Sequence, residues 1–363
     1  MAISPEVLRQ FDARRICILK PSALGDVVQT LPLLDALHQR FPTAEISWVI
    51  QRELTDLLSG HPALTHILPF DRQGSWQTSL RLLQTLRRKN FDLVLDLQGL
   101  LRTAAMSFAT RAPLRLGLQT AREGAQLAVH QTIPGTGRSI PAHARYWRVA
   151  EFFGIDHPPV AAPVPIGECD RHWAIEQLSG LPRPVLAIQP GARWATKCWP
   201  ARKFGEVARR AGEQFGGSVV LVGSRAEQHL AAPVREQLGP DRIILDLMGQ
   251  TRLKQLAAVL EQVDVVLSND SGPMHVAAAM GTTVVGVFTC TSPILSGPAG
   301  ARHQLISTAL PCAAGYHKSC PQRGPDHLAC FSELSVERVW GGLRRALEQQ
   351  TGSADSGSRL RSA

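Results

Sequence analysis

Residues 268–281 read Ser-Asn-Asp-Ser-Gly-Pro-Met-His-Val-Ala-Ala-Ala-Met-Gly. Upstream of them, Val263, Val265, Val266 and Leu267 form an apolar run of the length of a buried strand. That run ends on Asp270, small residues follow, and Pro273 stands where a helix takes its first residue. Strand, tight turn and helix in this order are the repeating unit of a parallel α/β sheet. The helix start leaves backbone N–H groups without intrahelical acceptors, and the helix dipole favours an anion there. Ser271 and Gly272 let a phosphate approach the backbone, while Asp270 and His275 place ionisable groups beside it. A small molecule carrying a polyphosphate is the first ligand that this segment suggests.

The same unit recurs on both sides of a proline-rich stretch, His157–Pro165, which reads as a linker because a helix cannot continue through it. Before it, strands are predicted at Ile16–Leu19, Ile46–Ile50, Ile67–Phe70 and Leu93–Leu97. Helices fall at about 26–41, where Pro32 should bend or break the helix, at 80–88 and at 100–110. Beyond the linker, strands are predicted at Val185–Gln189, Ser218–Val222, Ile243–Leu247, Val263–Ser268 and Thr283–Phe288. The helices between them lie near 200–215, 226–238, 252–261 and 273–280, and a last one runs over 335–349. The expectation is an α/β chain of two domains, 1–165 and 166–350, followed by a small, polar, disordered tail over 351–363. Ligands of such sheets bind beyond the carboxyl ends of the strands, so Asp26, the Gly191 loop and Asp270 are expected to converge on a cleft between the domains.

Composition narrows the classes. A chain of 363 residues, 44% hydrophobic and 19% charged, has ample core for two globular domains. No apolar run approaches the ~20 residues that a spanning helix needs, and the first ten residues lack the apolar centre of a signal peptide. A cytoplasmic enzyme is expected. The net charge of +9 suits a phosphorylated substrate or an anionic membrane surface. Two tyrosines, no basic arm and no recognisable motif speak against nucleic acid. Seven cysteines without a secretory signal are expected as reduced thiols. Cys312, Cys320 and Cys330 stand too far apart for the usual zinc spacing, so they suggest no metal and no other role.

Three further segments carry chemistry. Lys20-Pro21-Ser22-Ala23-Leu24-Gly25-Asp26 is a strand-to-helix turn whose Asp26 either takes a proton from an attacking hydroxyl or merely starts its helix. It is no P-loop, since no Gly-Lys-Ser/Thr follows, and no Gly-x-Gly-x-x-Gly fingerprint follows any strand, which argues against a nicotinamide or flavin cofactor. In the loop 189–200, Arg193, Thr196 and Lys197 are donors for a diphosphate, with Lys197 a point charge beside the leaving oxygen. Gln98, Arg102 and Arg122 lie near strand ends of the first domain and together suit an anionic acceptor.

Four stretches resemble those of the lipopolysaccharide heptosyltransferases, the family-nine glycosyltransferases: Ile18–Pro32, Asp96–Ala104, Pro190–Pro200 and Ser268–Pro293. The resemblance implies a GT-B fold of two Rossmann-like domains facing a cleft, the first for the acceptor and the second for the nucleotide sugar. It implies transfer of heptose from ADP-heptose to the Kdo/heptose inner core of lipopolysaccharide, with inversion, no metal and no cofactor. On that likeness Asp26 matches the catalytic base and Lys197 a lysine on the donor's phosphates. Asp270, Ser271, Gly272 and His275 match the donor-binding turn, and Gln98, Arg102 and Arg122 the acceptor region. The partner is then a lipid-anchored anionic sugar, with peripheral contact at the inner membrane. A nucleotide-sugar epimerase on the same plan, or a non-catalytic nucleotide-sugar-binding protein, are the alternatives.

Overall fold

The computed structural model describes residues 8, 10–157 and 162–359, with only the backbone from 351 onward. The chain divides into two compact units, Met1–Pro165 and Ile166–Ala363. Residues 158–161, the middle of the proline-rich stretch, lie outside the described residues.

The first unit is a six-stranded parallel sheet: β1 (Arg15–Leu19), β2 (Glu45–Gln51), β3 (His66–Phe70), β4 (Leu93–Asp96), β5 (Leu114–Leu118) and β6 (Gln131–Ile133). Its strand order is β3-β2-β1-β4-β5-β6. β1 and β4 are buried from end to end apart from Arg15, as expected of apolar runs covered on both faces. The helices Trp76–Arg88 and Leu101–Thr110 cover one face, where Cys17, Leu19, Val94 and Met106 form a common core.

The second unit repeats the plan with β7 (Val185–Gln189), β8 (Ser218–Leu221), β9 (Ile244–Asp246), β10 (Val265–Asn269), β11 (Thr283–Phe288) and β12 (Gln304–Ser307). The order β12-β11-β10-β7-β8-β9 is the first unit's order with the strands counted afresh from β7. Both are Rossmann orders, in which chain direction across the sheet reverses between the first and fourth strands. That switch point lies between β1 and β4 in one unit and between β7 and β10 in the other. There the helices of the two neighbouring strands leave toward opposite faces, and a crevice opens beyond the strand ends.

Several expectations change. Each unit has an additional edge: β5 and β6 in the first, β12 in the second. β6 has only three residues, and β5 carries Arg115 and Gly117, so neither shows a strand's apolar pattern. The helix predicted over 26–41 is two helices, Leu24–Val28 and Leu31–Arg40. Pro32, in the first turn of the second, has no N–H to extend the first. The final helix, Val336–Arg359, runs past residue 350, where a disordered tail was predicted. Extending a helix from a packed stem requires no new nucleus, so even a stretch containing Gly352 and Gly357 can follow it.

Candidate active site

Asp26 stands just beyond the carboxyl end of β1, in the first turn of the Leu24–Val28 helix. One carboxylate oxygen, Oδ1, accepts the Tyr146 hydroxyl at 2.9 Å. The other, Oδ2, accepts the Ala23 N–H at 3.3 Å and lies 3.6 Å from the Lys20 ammonium. The side chain of Lys20 is only 4% exposed and that of Asp26 37%, so the cation is sealed behind a carboxylate that meets solvent. Burial pushes the Lys20 ammonium below its ordinary value, with Asp26 as the main opposing influence. Burial first, and then the Asp26 charge, hold the Tyr146 phenol well above its ordinary value, so it remains a proton donor. The Lys20 ammonium also lies 5.1 Å from the centre of the Tyr146 ring, and the three groups form one cluster.

β4 supplies the other side of this switch point. Asp96, paired in register with Leu19, accepts the Gln98 and Gly99 N–H groups at 3.1 and 2.9 Å. Burial raises its carboxyl, opposed chiefly by the Gly99 N–H. Gly99 has φ +63°, and a Cβ there would stand 2.7 Å from the Ala121 Cα, so the turn tolerates only glycine. The Gly99 carbonyl accepts the Arg122 N–H at 2.9 Å, while the Gln98 side-chain oxygen accepts the Ser22 N–H at 3.3 Å. The fold thereby joins the Asp26 turn to Gln98, and the Gln98 turn to Arg122. Arg102 and Arg122 are exposed beside them.

In the second unit, the loop after β7 and the turn after β10 meet. Lys197 Nζ lies 2.6 Å from Asp270 Oδ2, and the Thr291 hydroxyl donates to the same oxygen at 2.7 Å. Here the carboxylate is the buried partner, 6% exposed against 18% for the lysine. Lys197 Nζ also stands 5.0 Å from the Trp194 ring centre. Gln189, the last residue of β7, accepts the Ser271 hydroxyl at 2.7 Å and the Ser268 hydroxyl at 3.0 Å. The Gly272–Ala279 helix then starts with no side chain capping it, and its first-turn His275 is buried. Its leading N–H groups stand in the same turn as the Lys197–Asp270 pair, and Arg193 is exposed on the loop that carries Lys197.

Thr196 departs from the expectation. Its hydroxyl donates to the His317 carbonyl at 2.7 Å and is buried, so the side chain ties the loop to the segment carrying Cys312 and Cys320. All seven cysteines are free thiols. Lys20, Tyr146, Gln189 and Thr291 were not singled out from the sequence. Lys20 carried a signal, as a cation ending a strand six residues from an aspartate; Tyr146, 120 positions from Asp26, carried none.

Two Rossmann-like units, each with charged side chains at its switch point, fit the architecture of a glycosyltransferase, and the comparisons identify the class. Residues 79–324 match the description "Glycosyltransferase family 9 (heptosyltransferase)", and the chain belongs to that family. It is 30% identical over 289 residues to lipopolysaccharide core heptosyltransferase OpsX of Haemophilus influenzae, covering 78% of this chain and 82% of that protein. The fold resembles a glycosyl transferase family 9 structure from Veillonella parvula, with TM-score 0.79, 25% identity, and 93% and 98% of the two chains covered. It also resembles E. coli ADP-heptose lps heptosyltransferase II, with TM-score 0.73, 23% identity and coverage of 93% and 99%. The chain is a glycosyltransferase of GT-B type.

Proposed function

We propose that this enzyme moves a heptose from ADP-heptose to the Kdo/heptose inner core of lipopolysaccharide, inverting the anomeric carbon, with Asp26 as the base. The observation that carries this reading is the Asp26 carboxylate, open to solvent on one side and held by Tyr146 and Lys20 on the other. In this reading Asp26 removes the proton of an acceptor hydroxyl as that oxygen attacks the anomeric carbon. The bond to the diphosphate breaks on the opposite side of the sugar, and ADP departs. Arg193, Lys197 and the N–H groups around Ser271 and Gly272 stabilise the charge that develops on the diphosphate. Asp270 aims Lys197, and His275 lines the same turn. Gln98, Arg102 and Arg122 receive the anionic acceptor.

The E. coli relative is an ADP-heptose heptosyltransferase and OpsX a heptosyltransferase of the lipopolysaccharide core, and both support this reading. The mechanism also needs water kept away from the donor during transfer. Among the described residues no helix is long and apolar enough to cross a membrane. We place the reaction on the cytoplasmic side, with the enzyme in peripheral contact with the inner membrane that holds its acceptor. The test is transfer from ADP-heptose to Kdo-lipid A, with the anomeric configuration of the product read by NMR. Retention of configuration, or full turnover by Asp26→Asn, would remove Asp26 from its role.

A further inference from the structure

The Leu101–Thr110 helix is built inside out. Its buried side includes Thr103, Ser107 and Thr110, whereas its outer side carries Leu101 and Phe108, 64% and 69% exposed. Leu101, the exposed Ala105 and Phe108 stand at helical spacing and share one stripe. The neighbouring Trp76–Arg88 helix packs beside it over the same face of the sheet and exposes Trp76 at 72% and Leu80 at 45%. Leu127, in the short helical turn beside the 101–110 helix, is 86% exposed. Scattered exposed apolar residues need no explanation, but these five belong to one layer. They include every large hydrophobic residue that the first unit exposes among the described residues. Between the two long helices lies a groove of about 420 Å³ lined by Phe70, Leu82, Leu83 and Met106, with Arg72 and Arg102 beside it.

Charge says what covers this face. Residues 72–91 and 97–122, which contain both helices, hold no Asp or Glu. They carry Arg72, Arg81, Arg87, Arg88, Lys89 and, in the second stretch, Arg102, Arg111, Arg115 and Arg122. Two carboxylates enter from outside: Asp71 accepts the Gln73 N–H ahead of the 76–88 helix, and Glu123 accepts the Leu101 N–H at the start of the other, where an anion belongs. A protein partner with an apolar patch would not require a rim so strongly cationic, nine basic side chains against these two helix-start carboxylates. Aromatic and aliphatic tips surrounded by arginines match the boundary between the acyl chains and the anionic headgroups of a bilayer.

We infer that the outer face of the 76–88 and 101–110 helices is a lipid-docking surface, with Trp76, Leu101 and Phe108 inserted and Arg81, Arg87 and Arg88 on the headgroups. The 420 Å³ groove then takes part of an acyl chain. Only its purpose, meeting a lipid-anchored acceptor, rests on the proposed function. Binding to vesicles is read with no sugar substrate, so the two can fail separately.

The test is co-sedimentation of the full chain with vesicles of phosphatidylethanolamine and phosphatidylglycerol, against vesicles of phosphatidylcholine alone. Binding is expected to the first, to weaken as salt rises, and to be at least tenfold weaker to the second. Trp76→Ser, Leu101→Ser and Phe108→Ser combined should cost on the order of a hundredfold in vesicle affinity. Each of Arg81→Gln, Arg87→Gln and Arg88→Gln should cost about fivefold. Because these side chains are already in water, thermal unfolding and turnover on a delipidated acceptor should not change. Wild-type vesicle binding by the triple serine variant would overturn the inference. So would light scattering that shows a dimer which this variant dissociates, because the face would then belong to a second copy of the chain.

Discussion

Asp26 and Asp270 each stand at the switch point of a Rossmann-like sheet and each has a lysine partner, but the two pairs are buried in opposite senses. In the first unit the lysine is sealed and the carboxylate open; in the second the carboxylate is sealed and the lysine more open. A buried ion that keeps its partner is tolerated, and the member facing solvent is the one able to meet a substrate. The first unit thus presents a base, and the second presents a cation. On the proposed mechanism, burial sorts the same two residue types into proton acceptor and phosphate binder.

The comparison breaks most clearly at the open carboxylate. Asp26→Asn keeps the shape and removes the base, so transfer should fall by about 10²–10⁴-fold. ADP binding, followed by calorimetry, should be unchanged. If ADP affinity fell with turnover, the division of labour between the units would be wrong.

Lys197→Ala should be the next largest effect and should appear twice. Loss of a charged donor should weaken ADP by about tenfold to a hundredfold, from roughly 1.5–3 kcal/mol for such a bond, while adenosine binding barely moves. The stranded, buried Asp270 should also lower stability by about 3 kcal/mol in urea unfolding. Lys20→Met sharpens the contrast, because Asp26 retains water on its open side. Its stability should move by less than about 1 kcal/mol, although activity falls.

Tyr146→Phe should act more finely. Removing a donor from the charged form of Asp26 favours its protonated form, so the acid limb of the pH–rate profile should move to higher pH. Turnover on that acid limb should drop by up to about tenfold, with the KM for ADP-heptose unchanged. An unshifted limb would make Tyr146 a packing residue only.

The smallest effect concerns the stability of the second unit. His303 Nδ1 accepts the Val284 N–H of β11 at 3.2 Å, and burial, then Arg302, push its value down to about 4. Since the folded value lies below that of the unfolded chain, the unfolded state takes up a proton first on acidification. The contribution is whole above about pH 6.5 and declines as pH falls toward 4. A His303→Gln variant should flatten this part of the stability–pH curve.

What could be read without coordinates is whatever lies within one strand–turn–helix. The segment around Asp270 announced a buried strand, a turn of small residues and a helix with proline in its first turn; all are found, with Gly272 rather than Pro273 as the first helical residue. Pro32 likewise signalled the broken helix, because its missing N–H acts locally. The edge strands were hidden, since Gln131–Ile133 is too short to show alternation and Arg115 interrupts an apolar run while donating to the Ala112 and Ala128 carbonyls. Tyr146 against Asp26, Thr291 against Asp270 and Thr196 against the His317 carbonyl were equally hidden, because each joins distant segments.

The sequence by itself determined two α/β arrays and the residue types at their turns, since alternation of apolar runs, glycine, proline and helix-starting carboxylates acts over a few residues. Tertiary structure alone decided which member of each Lys–Asp pair meets solvent, and it turned an apolar stripe of the 101–110 helix outward. The physical reason is that burial is a property of everything packed around a group. That packing is assembled from parts of the chain more than a hundred residues apart, as Tyr146 and Asp26 are.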